Sequence, residues 1–381
     1  MLIWGKTMVK IRDPLHGTVV LSDIEEKILD TPHMQRLREI RQLAMAYLVY
    51  PGANHTRFEH SIGTLFLADK ICSELNLPQE KKEKVRLAAL LHDVGHTAFS
   101  HEAEEILKKR IGNHEEIGKE MVLKSEIADI LKEKYSPKDI VEVYEGQLGK
   151  MITTDIGADR MDYLLRDSHY TGVAYGVIDA DRICGSVSFS KNGLVLHERG
   201  LDAAENLLVA RFTMFSTVYL HKTVRIASRM LQHALTLALE DRTIDAKEAT
   251  EKGDALMLQS LVQSGAAKKY VVALKERKLY KKAYSIRLDD MTLPAREVEK
   301  ELSDKCNCTV LVDVPRLSAE TEIMLESGNG GLTLLSDASE LVSSLQKMQK
   351  KRLEVAIICE EKNVRKISEA AKKLLGYQSV L

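Results

Sequence analysis

No apolar run in this chain of 381 residues reaches the ~18–20 residues that a bilayer span needs, so no transmembrane helix is expected. Cysteine is sparse as well. The five are scattered, and the one close pair, Cys306 and Cys308, has no second pair to complete a zinc knuckle. Reduced thiols in a cytosol are the expectation. The opening "MLIW" is too short for a signal peptide, organised sequence begins right after Met8, and a cytoplasmic location is expected. Neither sign of charge is in excess, with Lys plus Arg at 55 and Asp plus Glu at 56, so nothing global marks a nucleic-acid or membrane partner. Aromatic residues make up only 5%, while Leu, Ala, Glu and Lys are common, which favours helix. Apolar residues reach 44%, enough for a real core, and the length suggests two or three domains.

Histidine is distributed unevenly. Six of the twelve (His55, His60, His92, His96, His101 and His114) fall within sixty residues, and "HDVGHTAFSH" at 92–101 holds three of them. Thr56 and Glu59 have capping-box spacing, which predicts a helix from there to about Leu75 with Arg57, His60 and Thr64 on one side. The next helix climbs through "EKKEKVRLAALL", with Gly95 as its terminator and His92 and Asp93 on its last turn. Residues 103–111, 115–133 and 155–167 read as further helices, and 187–197 as a hairpin turning at Asn192-Gly193. From Leu201 a helical pattern continues for about forty residues, longer than ordinary globular helices, so a break is expected. At 100° per residue Arg211, Lys222, Arg225 and Arg229 fall within about 40° of one direction. Their flanks are apolar almost all round, and buried arginines need anionic partners, for which a phosphate would serve.

The character changes near residue 277. "KAYSIRL", "AREVEKELSD", "TVLVDV", "GLTLLS", "SELVSSLQKMQKKR" and "EVAIIC" predict β-α-β-β-α-β, a split-βαβ order. The fold class is therefore mainly α: a helical domain over 8–276 with a small β-hairpin, then a smaller α+β, ferredoxin-like domain over 277–381.

Imidazole and carboxylate together suit first-row divalent metals or Mg rather than Ca. A lone His-Asp doublet is weak evidence. His60, on an inward helical face beside Arg57, strengthens it, as do Asp155, Asp159, Asp162 and Asp167 gathered in "DIGADRMDYLLRD". His96, His101 and His114 are more imidazole than one ion requires. Spare histidines beside a metal fit acid–base work, because their unperturbed pKa is near 6.5.

"RFEHS", "HDVGHTAFSH" and "DRMDYLLRD", with "DTPHMQRLREIRQL" before and "VYLHKT" after, resemble the HD-domain superfamily. More narrowly they resemble its deoxynucleoside-triphosphate triphosphohydrolase branch, over roughly residues 10–235. The resemblance implies His60, His92, Asp93 and Asp159 as ligands of one divalent ion (Mn, Fe, Co, Zn, Ni or Mg). It implies His96, His101 and His114 in catalysis, assisted by Glu104, one methylene longer than the aspartate of the animal members. Gln42 and Leu43 would test the sugar edge, Tyr163 and Asp167 the 3′-hydroxyl, and Tyr219 would pack on the sugar. Arg57, Arg160 and Arg211 would hold phosphates, whereas Phe215 stands where the animal enzyme has a histidine. Asp30, Gln35 and Arg38 match a nucleotide activator site.

The expected reaction is cleavage of a dNTP to deoxynucleoside and inorganic triphosphate, by attack of metal-activated water at the α-phosphate. A homo-oligomer, dimer or tetramer, is expected with it. Two rivals stand beside this reading. One is an HD phosphohydrolase acting on a nucleoside monophosphate or cyclic nucleotide. The other is a nucleotide sensor without turnover, which loss of a ligand or a proton-transfer histidine would have favoured; none is lost.

Overall fold

The computed structural model describes residues 9–190, 193–315 and 321–376. Met8 and Asn192 lie outside that set. The chain opens with an antiparallel hairpin, β1 (Lys10–Asp13) and β2 (Gly17–Val20). Seven helices then build most of the helical region: α1 (Arg57–Glu74), α2 (Gln79–Leu91), α3 (His101–Ile111), α4 (His114–Lys124), α5 (Ala158–Thr171), α6 (Leu201–Met214) and α7 (Lys222–Glu240). Thr56 is the N-cap of α1, but its side chain makes no capping hydrogen bond, so the expected capping box is not formed.

Helix α1 is the centre of the molecule. It buries residues on every side, among them Leu65, Leu67, Ala68 and Ile71, as a helix enclosed by others must. Yet its first two turns also bury Arg57, His60, Ser61 and Thr64. Buried polar groups need partners, and here they mark the site. Two glycines let backbones approach it. A Cβ on Gly63 would lie 1.8 Å from the Asp162 carboxylate, so α5 sits against α1 only because residue 63 has no side chain. A Cβ on Gly95 would lie 2.1 Å from the His114 carbonyl and 2.2 Å from the Gly118 nitrogen. Helix α2 has already ended at Leu91, so Gly95 is not its terminator. It admits α4 next to the histidine-rich loop.

The long helix from Leu201 does break. A π-helical turn, Phe215–Tyr219, follows α6, and α7 begins at Lys222 with the His221 imidazole accepting from the Thr223 N–H (3.2 Å). Arg211 therefore does not share a helical face with Arg225 and Arg229, and the single basic stripe is corrected. The latter two dock the C-terminal region: Arg225 forks onto Asp313 (2.5 and 3.1 Å), and Arg229 reaches Glu299 (2.6 Å). Carboxylates, not phosphates, compensate both.

The second hairpin is present, β3 (Val187–Ser190) with β4 (Gly193–His197). Beyond it come β5 (Lys281–Arg287), α8 (Ala295–Cys306), β6 (Val310–Asp313), β7 (Met324–Glu326), β8 (Leu332–Leu334), α9 (Glu340–Lys351), β9 (Glu354–Cys359) and α10 (Val364–Leu375). Strands β5, β9 and β6 form an antiparallel sheet in that order, with β9 between the two strands that α8 connects. The split-βαβ unit is therefore real, but the expected four-stranded ferredoxin-like sheet is not formed by the elements assigned to it. The "GLTLLS" strand leaves with β7, which pairs in parallel with β4 and extends the hairpin to four strands. The reason is burial: Ile323, Leu325, Leu335 and Val342 join the core of the helical region.

Candidate metal centre

Three buried helical segments bring the histidine and aspartate side chains together. His60 comes from the second turn of α1, His92 and Asp93 from the turn after α2, and Asp159 from the start of α5. His60 Nε2 lies 3.0 Å from Asp159 Oδ1 and 3.7 Å from Asp93 Oδ2. His92 Nε2 lies 3.3 Å from Asp93 Oδ1 and 3.8 Å from Asp159 Oδ1. Donor atoms that each stand ~2.1 Å from a shared centre are themselves about 3.0–3.4 Å apart in octahedral or tetrahedral arrangement. The distances of 3.0 and 3.3 Å fall in that range and those of 3.7 and 3.8 Å just outside it, and His60, His92 and Asp93 lie close enough together to share one ion.

The hydrogen bonds behind the cluster point the same way. His92 donates through Nδ1 to the Ala89 carbonyl (2.7 Å), which leaves Nε2 with its lone pair towards the cluster. That Nε2 is buried without a hydrogen-bond partner. An orphaned imidazole nitrogen beside two carboxylates is what a metal ligand looks like. His60 is held by its other nitrogen, Nδ1 lying 2.8 Å from Asp162. Burial pulls the His60 pKa down, but the hydrogen bonds to Asp159 and Asp162 outweigh it and push it up to about 10. Nε2 is the atom that a divalent cation would take in place of the proton.

Asp162 is itself over-supplied with donors. It takes His60, His16 Nε2 (2.7 Å) and two guanidinium bonds from Arg166 (2.8 and 2.9 Å), and Arg166 continues to Asp13 (2.9 Å). Burial opposes its charge, yet Arg166, His16 and His60 hold its pKa well below the usual carboxylate range. It fixes the orientation of His60, and its partners favour its charged form. Arg57 does the same for Asp93, donating at 2.6 Å while its Nε bonds Ser100 (2.7 Å). That is a scaffold position rather than an open phosphate contact.

A second cluster flanks the first. His96, buried, lies 3.3 Å from Asp93 and stacks on His114 with ring centroids 4.1 Å apart and planes at 10°. His101 stands edge-on to both rings. His114 Nδ1 lies 2.7 Å from Glu104 and His101 Nδ1 3.4 Å from the same oxygen, so the longer glutamate does reach. Burial lowers the pKa of His96 well below its ordinary value and adds to the Arg57 charge in doing so. Burial also opposes the charged form of His114, but its bond to Glu104 wins and raises its pKa. The two stacked rings are therefore pushed in opposite directions, His96 towards the neutral form and His114 towards the charged one.

The expected substrate residues pair mostly with one another and with nearby carboxylates. Arg211 donates to Asp155 (2.9 Å), Arg160 pairs with the same carboxylate, and Asp155 also accepts from the Glu322 N–H (3.2 Å). Tyr219, on the π-helical turn, donates to Asp167 (2.6 Å), whose other oxygen meets His55 (2.8 Å). Tyr163 stands beside Tyr219, ring centroids 6.5 Å apart, and Phe215 packs on the other side at 6.2 Å. Gln42 bonds the His55 carbonyl through its N–H, and its Oε1 is buried without a partner. Leu43 is half-buried beside it. Arg38 bonds Gln35 (2.8 Å) and covers the Phe58 ring, while Asp30 is exposed. Sequence reasoning missed Asp13, His16 and His55, which no local spacing ties to the site, and Arg166, whose i,i+4 spacing from Asp162 on α5 could have found it.

A histidine, a His-Asp doublet and a distal aspartate carried on buried helices define a helical metal-binding domain of the HD class. The chain belongs to the HD-domain family: an HD domain matches residues 57–185, and an HD associated region matches residues 178–380. An uncharacterized protein of Methanocaldococcus jannaschii is 33% identical over 95% of this chain and 81% of its own length. A crystal structure of a hypothetical protein from Aquifex aeolicus superposes with a TM-score of 0.82 at 32% identity, covering 95% of this chain and 99% of that one. The deoxynucleoside triphosphate triphosphohydrolase SAMHD1 homolog of Dictyostelium discoideum is 28% identical over 71% of this chain, which spans 59% of that protein. Among the described residues no helix is long and apolar enough to cross a membrane.

Proposed function

We propose that the protein is a metal-dependent phosphohydrolase that cleaves dNTPs into a deoxynucleoside and inorganic triphosphate. The observation that carries this reading is the side-by-side placement of the His60, His92, Asp93, Asp159 set and the His96, His101, Glu104, His114 set. The first set would hold a divalent ion, which supplies Lewis-acid polarisation of a phosphoryl group and acidifies water at neutral pH. Everything else falls to the chain. Asp162 and Arg57 keep His60 and Asp93 aimed. His114, whose charged form the bond to Glu104 favours, would donate to the departing 5′-oxygen. Arg160 and Arg211, already aligned on Asp155, present fixed forks to phosphates. Asp167 and Tyr219 form the polar edge a sugar hydroxyl would meet, and Gln42 offers a free acceptor there. The activator role of Asp30, Gln35 and Arg38 belongs to the same reading. The named activity of the Dictyostelium relative supports it.

One observation favours a second reading, hydrolysis of a nucleoside monophosphate or cyclic nucleotide. Asp155 already compensates both phosphate-type arginines, and a smaller phosphoester needs neither. Incubation of each dNTP with Mn or Mg, followed by chromatography of the products, separates the two. Free triphosphate and deoxynucleoside support the triphosphohydrolase, whereas turnover confined to mono- or cyclic nucleotides supports the alternative.

A further inference from the structure

The loop that carries His96 and His101 is held in a conformation its own sequence does not favour. Phe99 has φ +64° and Ser100 φ +52° with ψ −133°, two consecutive non-glycine residues at positive φ. Such backbones persist only where the surroundings over-determine them. What holds them comes from far along the chain. The Asp254 carboxylate, 1% exposed at the start of the helix Asp254–Gln263, accepts the Phe99 N–H through one oxygen (2.8 Å) and the Arg41 N–H through the other (3.1 Å). Its neighbour Gly253 makes this reach feasible, because a Cβ there would lie 2.3 Å from the Glu39 side chain. Ala98 adds a backbone bond to the Ala249 carbonyl (2.9 Å). From the other side Arg36 donates to the His96 carbonyl (2.7 Å), and Ser100 Oγ donates to the Arg41 carbonyl (3.2 Å).

We propose that Asp254 is a positioning residue that locks the proton-transfer loop 96–101 and the sugar-facing segment 41–43 into one rigid unit. This rests on the reading that the histidines of that loop serve the departing group. Asp254 touches neither the metal ligands nor the histidine rings. It acts through two backbone amides, one three residues after His96 and the other one residue before Gln42, with the Arg41 guanidinium 3.8 Å from the second carboxylate oxygen. An ionised carboxylate suits this double acceptor role. An asparagine keeps the shape but presents an NH2 group to one of the two N–H donors, so one strap is lost and a donor is left facing a donor.

The test uses the full-length Asp254→Asn protein beside the wild type, with three readouts. Metal content should be unchanged, because the ligands lie on other segments. Turnover of a dNTP, whose leaving group needs a proton, should fall about 10²-fold, the scale of a ~1 Å misplacement of catalytic groups. Turnover of bis(p-nitrophenyl) phosphate should stay within the same order of magnitude, because its leaving group departs as a stable anion. Amide hydrogen exchange at Phe99 and Arg41 should be slow in the wild type and faster in the variant. Equal losses on both substrates, or unchanged exchange at Phe99 and Arg41, would overturn the proposal. If Asp254→Asn does not fold, Asp254→Glu takes its place, and fast exchange at Phe99 in the wild type alone rules the strap out. A wild type that leaves every dNTP intact would instead sink the proposed function, and the exchange measurement would still decide the strap.

Discussion

His114 Nδ1 stands 2.7 Å from a carboxylate oxygen of Glu104, and the His114 ring lies flat on His96. Burial opposes the charge on His114 and the Glu104 bond outweighs it, so its pKa is raised above the ordinary value of 6.5. A raised pKa keeps the ring protonated to higher pH, and a general acid fails once pH passes that pKa. The rate is therefore expected to fall on the alkaline side. Glu104→Gln removes the raising bond and should move that alkaline limb to lower pH. His114→Ala should retain metal and nucleotide affinity while lowering turnover about 10²–10⁴-fold. Rate–pH profiles and nucleotide titrations check both, and a limb that does not move in Glu104→Gln removes the dyad from the mechanism.

The four-donor carboxylate of Asp162 gives a second expectation. Asp162→Asn should weaken metal binding about 10–100-fold, the usual cost of losing an outer-shell partner, while Asp159→Ala should empty the site. Elemental analysis of dialysed proteins decides it. Full occupancy in Asp159→Ala would show that the fourth ligand is another residue.

Arg211 and Arg229 should behave differently. Lysine keeps the charge but loses the planar fork. Arg211→Lys, at Asp155, should raise KM or lower turnover for dNTPs and spare small activated phosphodiesters. Arg229→Lys, at Glu299, should leave both reactions alone. Steady-state kinetics on the two substrate types would show it, and a matching dNTP defect in Arg229→Lys would contradict the assignment.

The docking pair is a stability prediction. Arg225→Ala leaves Asp313 without its two charged donors in a mostly buried contact and should cost about 2 kcal/mol, the scale of hydrogen bonds to charged groups. Denaturant titration reads the loss, and unchanged stability would show that other contacts hold the C-terminal sheet in place.

How much of this was legible in the sequence follows from the range of each interaction. His60 and the His92-Asp93 doublet stand out by their chemistry and their apolar setting, whereas the choice of Asp159 among four nearby aspartates rests on the family resemblance. The outer shell does not stand out. Asp162 lies in the same aspartate-rich segment as Asp159, but nothing local says that it faces Gly63 and His60 rather than solvent. Asp254 is more distant still, lying 155 residues beyond Phe99 in the chain. Length predicts the break after Met214, but the basic stripe assumes a continuous helix, and the π-helical turn and the start of α7 at Lys222 interrupt it between Arg211 and Arg225. In the C-terminal region strand alternation identified β5, β6 and β9. It could not tell that a three-residue strand, β8, would follow β7 to the helical region, because that choice depends on where Ile323 and Leu325 find apolar cover.

The central claim is that the two clusters act together on the α-phosphorus of a dNTP. Turnover in heavy-oxygen water, with mass spectrometry of the products, tests it most directly. The account predicts intact inorganic triphosphate carrying one solvent-derived oxygen beside an unlabelled deoxynucleoside. Orthophosphate or pyrophosphate as the product, or label in the deoxynucleoside, would contradict it.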